Sequence, residues 1–169
     1  KKKILFFIGT RPELIKLYPL IHVFKKEKKL FETKVCFTNQ HKELIFSSLN
    51  IFKLKPDFKL NIMKQSQSIE YVTENLLNKI NKLYKNKYLP DLVFVQGDTN
   101  TAFGASLISF YNKIKIAHIE AGLRTFRKYE PFPEETFRCM ISKLADYHFT
   151  PTISSKKNLI NEGIKKNIY

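Results

Sequence analysis

The 169-residue chain carries 30 Lys and Arg residues against 15 Asp and Glu residues, for a formal net charge of +15, and it is 43% hydrophobic and 14% aromatic. This composition predicts about one globular domain with a substantial core, and it excludes a transmembrane helix because no apolar run approaches the roughly 20 residues that such a helix needs. Two cysteines are too few for a disulfide framework or a metal site, and the lysines are scattered without an aromatic and basic module, which argues against nucleic-acid binding.

Apolar runs alternate with segments of helical periodicity along the whole chain. The pattern predicts, in chain order, a strand at 3–8, a helix from Pro12, a strand at 33–38, helices at about 41–52 and 68–84, a strand at 91–96, a helix at about 101–111, a strand at 115–119, a helix at about 133–145, a strand at 147–149 and a helix at 154–162. Residues 53–67 show no clear period and predict a connecting segment. Strands that alternate with helices are typical of βαβ units, so the predicted fold class is α/β with a parallel sheet flanked by helices.

Three predicted strands run directly into short polar segments. The first strand leads into Gly-Thr-Arg-Pro-Glu, which contains Arg11 and is followed by Lys16 one turn later. Asp98 and Glu120 each follow the end of a later strand, and Glu134 stands at the start of a helix soon afterwards. Since ligands of open α/β sheets bind beyond the carboxyl ends of the strands, we expect these side chains to meet at one edge. The first segment lacks the later glycines of the dinucleotide fingerprint and is not a P-loop, which argues against a simple NAD or ATP site.

Each of these side chains also has an ordinary structural explanation. Arg11 fits an exposed turn, Asp98 fits a helix N-cap, Glu120 fits an ion pair with Arg124, and Glu134 fits a helix start that favours negative charge. Taken together, however, three carboxylates opposite one cationic loop favour proton transfer on a phosphate-bearing substrate. Crowded carboxylates repel one another, so at least one of them is expected to have a raised pKa that suits acid–base catalysis.

In order along the chain, these segments resemble the non-hydrolysing UDP-N-acetylglucosamine 2-epimerases. The resemblance is carried by Gly-Thr-Arg-Pro-Glu with Lys16, Gln40 with His41, Gly-Asp-Thr at 97–99, His-Ile-Glu-Ala-Gly-Leu-Arg-Thr at 118–125, and Pro-Phe-Pro-Glu-Glu at 131–135 with Arg138. It covers essentially the whole chain, and the segment at 118–125 is its most specific part.

The resemblance implies a two-domain enzyme. Its two Rossmann-like domains are similar to those of GT-B glycosyltransferases and enclose a cleft. Members of the family are about twice as long as this chain, so residues 1–169 are expected to be the N-terminal Rossmann-like domain, with the C-terminal UDP-binding domain outside the chain. We expect the isolated domain to be inactive and the full-length enzyme to be a cytoplasmic homodimer.

The resemblance also implies the chemistry and the residues that perform it. The family interconverts UDP-N-acetylglucosamine and UDP-N-acetylmannosamine by eliminating UDP to give 2-acetamidoglucal and adding it back, with no cofactor and no metal. The catalytic carboxylates are expected to be Asp98, Glu120 and Glu134. The substrate-binding cations are expected to be Arg11, Lys16 and Arg138. The expected partners are the nucleotide sugar and the second domain, with neither nucleic acid nor membrane.

Two departures from the family pattern affect these expectations. Phe137 stands where the family commonly has Asn, which changes the local hydrogen bonding. Some members also bind a second UDP-N-acetylglucosamine as an activator. Of the contacts for that regulatory site, Gln40 and His41 are present, but Glu43 and Ser66 replace a Gln and an Arg, so we predict weak or absent activation by substrate.

Three alternative functions stay open at this point. A hydrolysing relative would release free N-acetylmannosamine, although Pro12 disfavours it because those relatives usually carry another residue there. A GT-B glycosyltransferase would transfer the sugar to an acceptor. A nucleic-acid-binding module would explain the net charge of +15 and would show steep salt dependence of binding.

Overall fold

The computed structural model describes residues 1–38, 52–62 and 68–169. Within these ranges the chain forms six strands and five helices. In chain order they are β1 (Lys2–Ile8), α1 (Arg11–Lys26), β2 (Phe31–Phe37), β3 (Phe58–Lys59), α2 (Ile69–Asn86), β4 (Leu92–Gln96), α3 (Asn100–Tyr111), β5 (Lys115–Ile119), α4 (Glu134–Leu144), β6 (Tyr147–Phe149) and α5 (Ile153–Asn161).

The strands form one parallel sheet in the order β3-β2-β1-β4-β5-β6. β1 lies in the middle and pairs with β2 on one side and with β4 on the other. The chain adds β2 and β3 on one side of β1 and then returns to add β4, β5 and β6 on the other side, so the strand order reverses between β1 and β4. In doubly wound sheets a crevice opens at the carboxyl edge of this switch point, which is where ligands bind.

Both faces of the sheet are buried, as the uninterrupted apolar runs predict. Leu5 and Phe7 of β1 point into one core cluster, together with side chains of α2 and α3. Phe6 of β1 points to the opposite face, where it stacks on Phe94 with ring centroids 4.6 Å apart and packs beside Leu17 of α1. The alternation of side chains along a strand explains why every residue of β1 after Lys3 must be apolar.

Local sequence determines where the helices begin. Thr10 caps α1 in a capping box with Glu13, and the fixed φ of Pro12 suits the first turn. Ser68 caps α2, whose apolar residues recur at helical spacing. Among the described residues, none of the helices combines the length and the apolar character that crossing a bilayer requires.

The predicted α/β class with a parallel, helix-flanked sheet is confirmed, and each of the five predicted strands forms within about two residues of its predicted ends. The prediction for 53–67 is incomplete, because Phe58–Lys59 forms β3 inside that segment. Two residues are too few to show a strand period. Pro19 lies inside α1, which continues to Lys26. Most of the helix predicted at 41–52 falls outside the described residues.

Candidate active site

A cavity of about 440 Å³ lies at the carboxyl edge of the sheet, beyond the ends of β1, β4 and β5. Its walls come from the segments that follow these strands, from the last residue of β4 and from α4. The lining residues are Thr10, Pro12, Lys16, Gln96, Gly97, Asp98, Thr99, Glu120, Leu123 and Arg138. The cavity therefore sits at the switch point, and it brings together Lys16, Asp98, Glu120 and Arg138.

Asp98 follows β4 and forms an ion pair with Arg138 of α4. Burial raises the pKa of Asp98 above its ordinary value, and the guanidinium of Arg138 opposes this shift. The nearby carboxylates of Glu134 and Glu120 add to the upward shift of the Asp98 pKa. The result is a half-buried carboxyl group that holds its proton more tightly than a solvated aspartate does.

Glu120 follows β5 and is held by two donors. The Nζ of Lys16 lies 2.5 Å from Oε2 of Glu120, and Nε2 of Gln96 donates to the same oxygen. The backbone of Glu120 has a φ of +66°, in the left-handed region that a non-glycine residue rarely adopts. Such a conformation costs about 1–3 kcal/mol and is concentrated at functional sites. The strained backbone directs Glu120 toward the cavity rather than along the strand.

The structure shows that two of the ordinary explanations are wrong. The hydroxyl of Thr99, and not Asp98, caps α3 by accepting a backbone hydrogen bond at 3.0 Å. Glu120 does not pair with Arg124, because that guanidinium donates to Glu162 through Nε at 2.6 Å and Nη2 at 2.8 Å. The carboxylates of Asp98 and Glu120 therefore face the cavity instead of serving local capping or local pairing.

The two adjacent glutamates that open α4 have different surroundings. Glu135 is buried and accepts hydrogen bonds from the backbone N–H groups of Thr125 and Phe126, both at 3.0 Å. It fixes the loop before α4. Oε2 of Glu134 is buried and has no hydrogen-bond partner among the described residues. Glu134 does not line the cavity, but its charge acts on Asp98.

Besides Glu134, Arg11 is a predicted site residue that does not line the cavity, and two more predicted residues lie outside the described part of the chain. Arg11 is the first residue of α1, is exposed to solvent and does not line the cavity. Gln40 and His41, the predicted contacts for a regulatory nucleotide sugar, lie within 39–51, outside the residues that the structure describes.

Two site residues were not singled out from the sequence. Gln96 is the last residue of β4 and binds Glu120. A polar residue at the end of an otherwise apolar strand is the signal that indicates it. Glu13 is only 1% exposed and lies directly beneath the loop that contains Thr10. The capping-box spacing predicts the contact of Glu13 with Thr10, but nothing in the sequence predicts that Glu13 is buried.

His118 of β5 is fully buried. Its Nε2 lies 2.7 Å from the carbonyl oxygen of Gly97, and because a carbonyl only accepts, Nε2 carries the proton. Burial lowers the pKa of His118 to about 4. The ring therefore remains neutral at pH 7 and supports the turn that precedes Asp98.

The cavity combines two carboxylate–cation pairs, Glu120 with Lys16 and Asp98 with Arg138. A carboxyl group with a raised pKa suits proton transfer near neutral pH, and an Arg and a Lys provide positive charge that phosphate binds. The fold and this edge together define the chain as a Rossmann-like α/β domain with a candidate ligand site at its switch point.

Comparison with known proteins identifies the family. The profile of the family described as UDP-N-acetylglucosamine 2-epimerase matches residues 24–169. The UDP-N-acetylglucosamine 2-epimerase of Salmonella borreze is 48% identical over 167 residues, which cover 98% of this chain and 44% of that protein. The crystal structure of the Neisseria meningitidis UDP-GlcNAc 2-epimerase bound to UDP-GlcNAc superimposes with a TM-score of 0.92 at 44% identity, over 98% of this chain and 45% of the other. Acinetobacter baumannii MurG shares the fold alone, with a TM-score of 0.65 at 11% identity, over 91% of this chain and 43% of the other.

The chain belongs to the UDP-N-acetylglucosamine 2-epimerase family. It spans less than half the length of the curated relatives it matches and corresponds to their N-terminal half.

Proposed function

We propose that the full-length protein interconverts UDP-N-acetylglucosamine and UDP-N-acetylmannosamine, with this chain as its N-terminal Rossmann-like domain. The observation that carries the proposal is the convergence of Asp98 and Glu120, with their cationic partners, on one cavity at the switch point of the sheet. The second half of the protein closes the cleft and binds UDP. The N. meningitidis relative crystallised with UDP-GlcNAc supports this choice of substrate.

The proposed reaction is an elimination followed by an addition. A carboxylate removes the proton from C2 of the sugar, the electron pair of the C2–H bond forms a C1=C2 double bond, and UDP leaves C1 with the electron pair of the C1–O bond. The intermediate is 2-acetamidoglucal. A proton is then delivered to C2 on the opposite face, and an oxygen of UDP reattaches at C1, so that no atom is gained or lost and the configuration at C2 is inverted.

Side chains in the cavity and beside it are proposed to supply what each step requires. Asp98, Glu120 and Glu134 are proposed to exchange the C2 proton on the two faces of the sugar. Lys16 and Arg138, together with the exposed Arg11 at the start of α1, are proposed to stabilise the charge of the departing diphosphate. Positive groups fixed before the reaction stabilise a developing charge more effectively than water does.

Deuterium incorporation tests the proposal. The full-length protein is incubated with UDP-N-acetylglucosamine in D₂O, and the products are followed by NMR. We expect deuterium at C2 of both nucleotide sugars, with the sugar still attached to UDP. Release of free N-acetylmannosamine would assign the hydrolysing reaction instead, and the absence of deuterium at C2 would reject proton abstraction altogether.

A further inference from the structure

Glu13 is a buried carboxylate to which the proposed reaction assigns no role. It belongs to α1 and is 1% exposed. Its Oε2 accepts hydrogen bonds from the backbone N–H of Gly9 at 2.8 Å, the backbone N–H of Thr10 at 2.5 Å and the Thr10 hydroxyl at 2.9 Å. Its Oε1 accepts a hydrogen bond from the Thr99 hydroxyl at 2.6 Å. All of these partners donate, so both oxygens of Glu13 act as hydrogen-bond acceptors.

These contacts connect two segments of the cavity wall. Thr10 caps α1, the helix that carries Lys16. Thr99 caps α3 and directly follows Asp98. The Thr99 hydroxyl donates to Glu13 while it accepts the backbone N–H of Ala102 at 3.0 Å, so its orientation is fixed from both sides. The position of Asp98 relative to α1 therefore depends on this contact.

Helix capping alone does not account for Glu13. The capping box needs only the contacts to Thr10, and a glutamate is almost never fully buried unless it is paired. Here burial raises the pKa of Glu13, and the hydrogen bonds from Thr99, Thr10 and Gly9 partly offset that shift. A buried carboxylate is tolerated only when its hydrogen bonds are satisfied. The contact with Thr99, 86 residues away, is the part that local helix formation does not require.

We propose that Glu13 and Thr99 form a positioning pair that holds Asp98 at the correct distance from the Lys16 side of the cavity. Both carboxylate oxygens of Glu13 are occupied by these hydrogen bonds and Glu13 does not line the cavity, so it acts through Thr99 and not as a catalytic residue. This inference rests on the proposed epimerase function.

The test is a pair of substitutions in the full-length enzyme. Thr99→Val removes the hydroxyl but keeps the size and branching of the side chain. Thr152→Val is the matched control, because Thr152 caps α5 in the same way, accepting the backbone N–H of Ser155 at 3.1 Å, and does not line the cavity. Both variants lose one cap, but Thr99→Val also removes the donor to Oε1 of the buried Glu13, so its melting temperature should fall further than that of Thr152→Val.

The two variants are expected to differ in turnover. Misplacing a reacting group lowers the rate of the chemical step, so Thr99→Val should lower kcat about 10-fold or more while KM changes less than about 2-fold. Thr152→Val should retain the wild-type kcat. A kcat for Thr99→Val equal to that of Thr152→Val would overturn the proposal.

A double-mutant cycle tests the link itself. Glu13→Gln should also lower kcat, and the double variant Glu13→Gln with Thr99→Val should be no slower than the slower single variant, because both changes break one contact. Losses that multiply in the double variant would show independent effects and reject the pair. If Glu13→Gln does not fold, the comparison of Thr99→Val with Thr152→Val tests the proposal on its own.

A wild-type enzyme without epimerase activity would reject the proposed function and this inference with it, whereas an active wild type with an unaffected Thr99→Val would reject only the positioning pair.

Discussion

The carboxylate of Asp98 and the guanidinium of Arg138 form an ion pair at the edge of the cavity, between the loop after β4 and the middle of α4. Burial raises the pKa of Asp98, and Arg138 is the group that lowers it most strongly. The pKa of Asp98 therefore depends on a side chain from another element.

Removing this cation is predicted to shift the pH dependence of turnover. In Arg138→Met the burial of Asp98 is no longer offset, so the pKa of Asp98 rises further. If Asp98 must be ionised to accept a proton, the acidic limb of the kcat profile moves to higher pH. The measurement is kcat from pH 5 to pH 9 in the full-length enzyme.

Arg127→Met is the control for this experiment. Arg127 also forms an ion pair, with Glu130 at 2.9 Å, but its side chain is 75% exposed and lies away from the cavity lining. Its profile should coincide with that of the wild type. An acidic limb that stays in place in Arg138→Met would contradict the proposed state of Asp98.

Replacement of the three candidate carboxylates by amides is predicted to stop catalysis without unfolding the protein. Asp98→Asn, Glu120→Gln and Glu134→Gln keep the shape of each side chain but cannot exchange a proton, so each should lower kcat by about 10²-fold or more. Glu27→Gln, at the exposed C-terminal end of α1, should leave kcat unchanged. Circular dichroism monitors folding, and wild-type turnover in all three carboxylate variants would reject the assignment.

The sequence predicts the elements of this fold better than it predicts the contacts between them. The strands at 92–96 and 115–119 were predictable because each is a short, largely apolar run with a polar residue at its end or directly after it. The ion-pair partner of Glu120 was not predictable, because Arg124 is nearer to it in sequence than Lys16 is. The fold nevertheless brings Nζ of Lys16, 104 residues away in sequence, to 2.5 Å from Oε2 of Glu120.

The same limitation explains why Glu13 and Glu162 were missed. Both are ordinary acidic residues near helix ends, where exposure is the usual outcome. Only the packing of α1 against the sheet buries Glu13, and only the docking of α5 brings Glu162 to Arg124. Sequence patterns report the period of a segment, whereas ion pairs between distant segments depend on how those segments pack.

The buried His118 is predicted to make the chain sensitive to acid. The pKa of His118 is about 4 in the folded chain, against an ordinary value of 6.5 when unfolded. The unfolded chain therefore takes up a proton first, so stability is complete above about pH 6.5 and is lost as pH falls toward 4. The loss is on the order of 3 kcal/mol. Urea unfolding of the 169-residue chain at pH 7 and pH 4.5 measures it.

A matched pair of variants tests whether His118 causes this acid sensitivity. His118→Gln removes the titrating ring but keeps an N–H donor for the carbonyl of Gly97, so its free energy of unfolding should fall less between pH 7 and pH 4.5 than that of the wild type. His22→Gln alters an exposed histidine and should follow the wild type. Equal losses in His118→Gln and the wild type would show that another group causes the acid sensitivity.

Two glycines with the same backbone conformation separate strain from steric conflict. Gly122 and Gly163 have φ values of +87° and +85°. A Cβ at Gly163 would meet nothing within 4 Å, whereas a Cβ at Gly122 would lie 2.2 Å from the backbone oxygen of Ser155 in α5. Gly163→Ala should therefore cost only the left-handed penalty of about 1–2 kcal/mol. Gly122→Ala must also displace α5 and should cost more than about 4 kcal/mol of unfolding free energy. Urea unfolding of both variants measures the difference, and equal costs would mean that α5 does not approach Gly122 closely in solution.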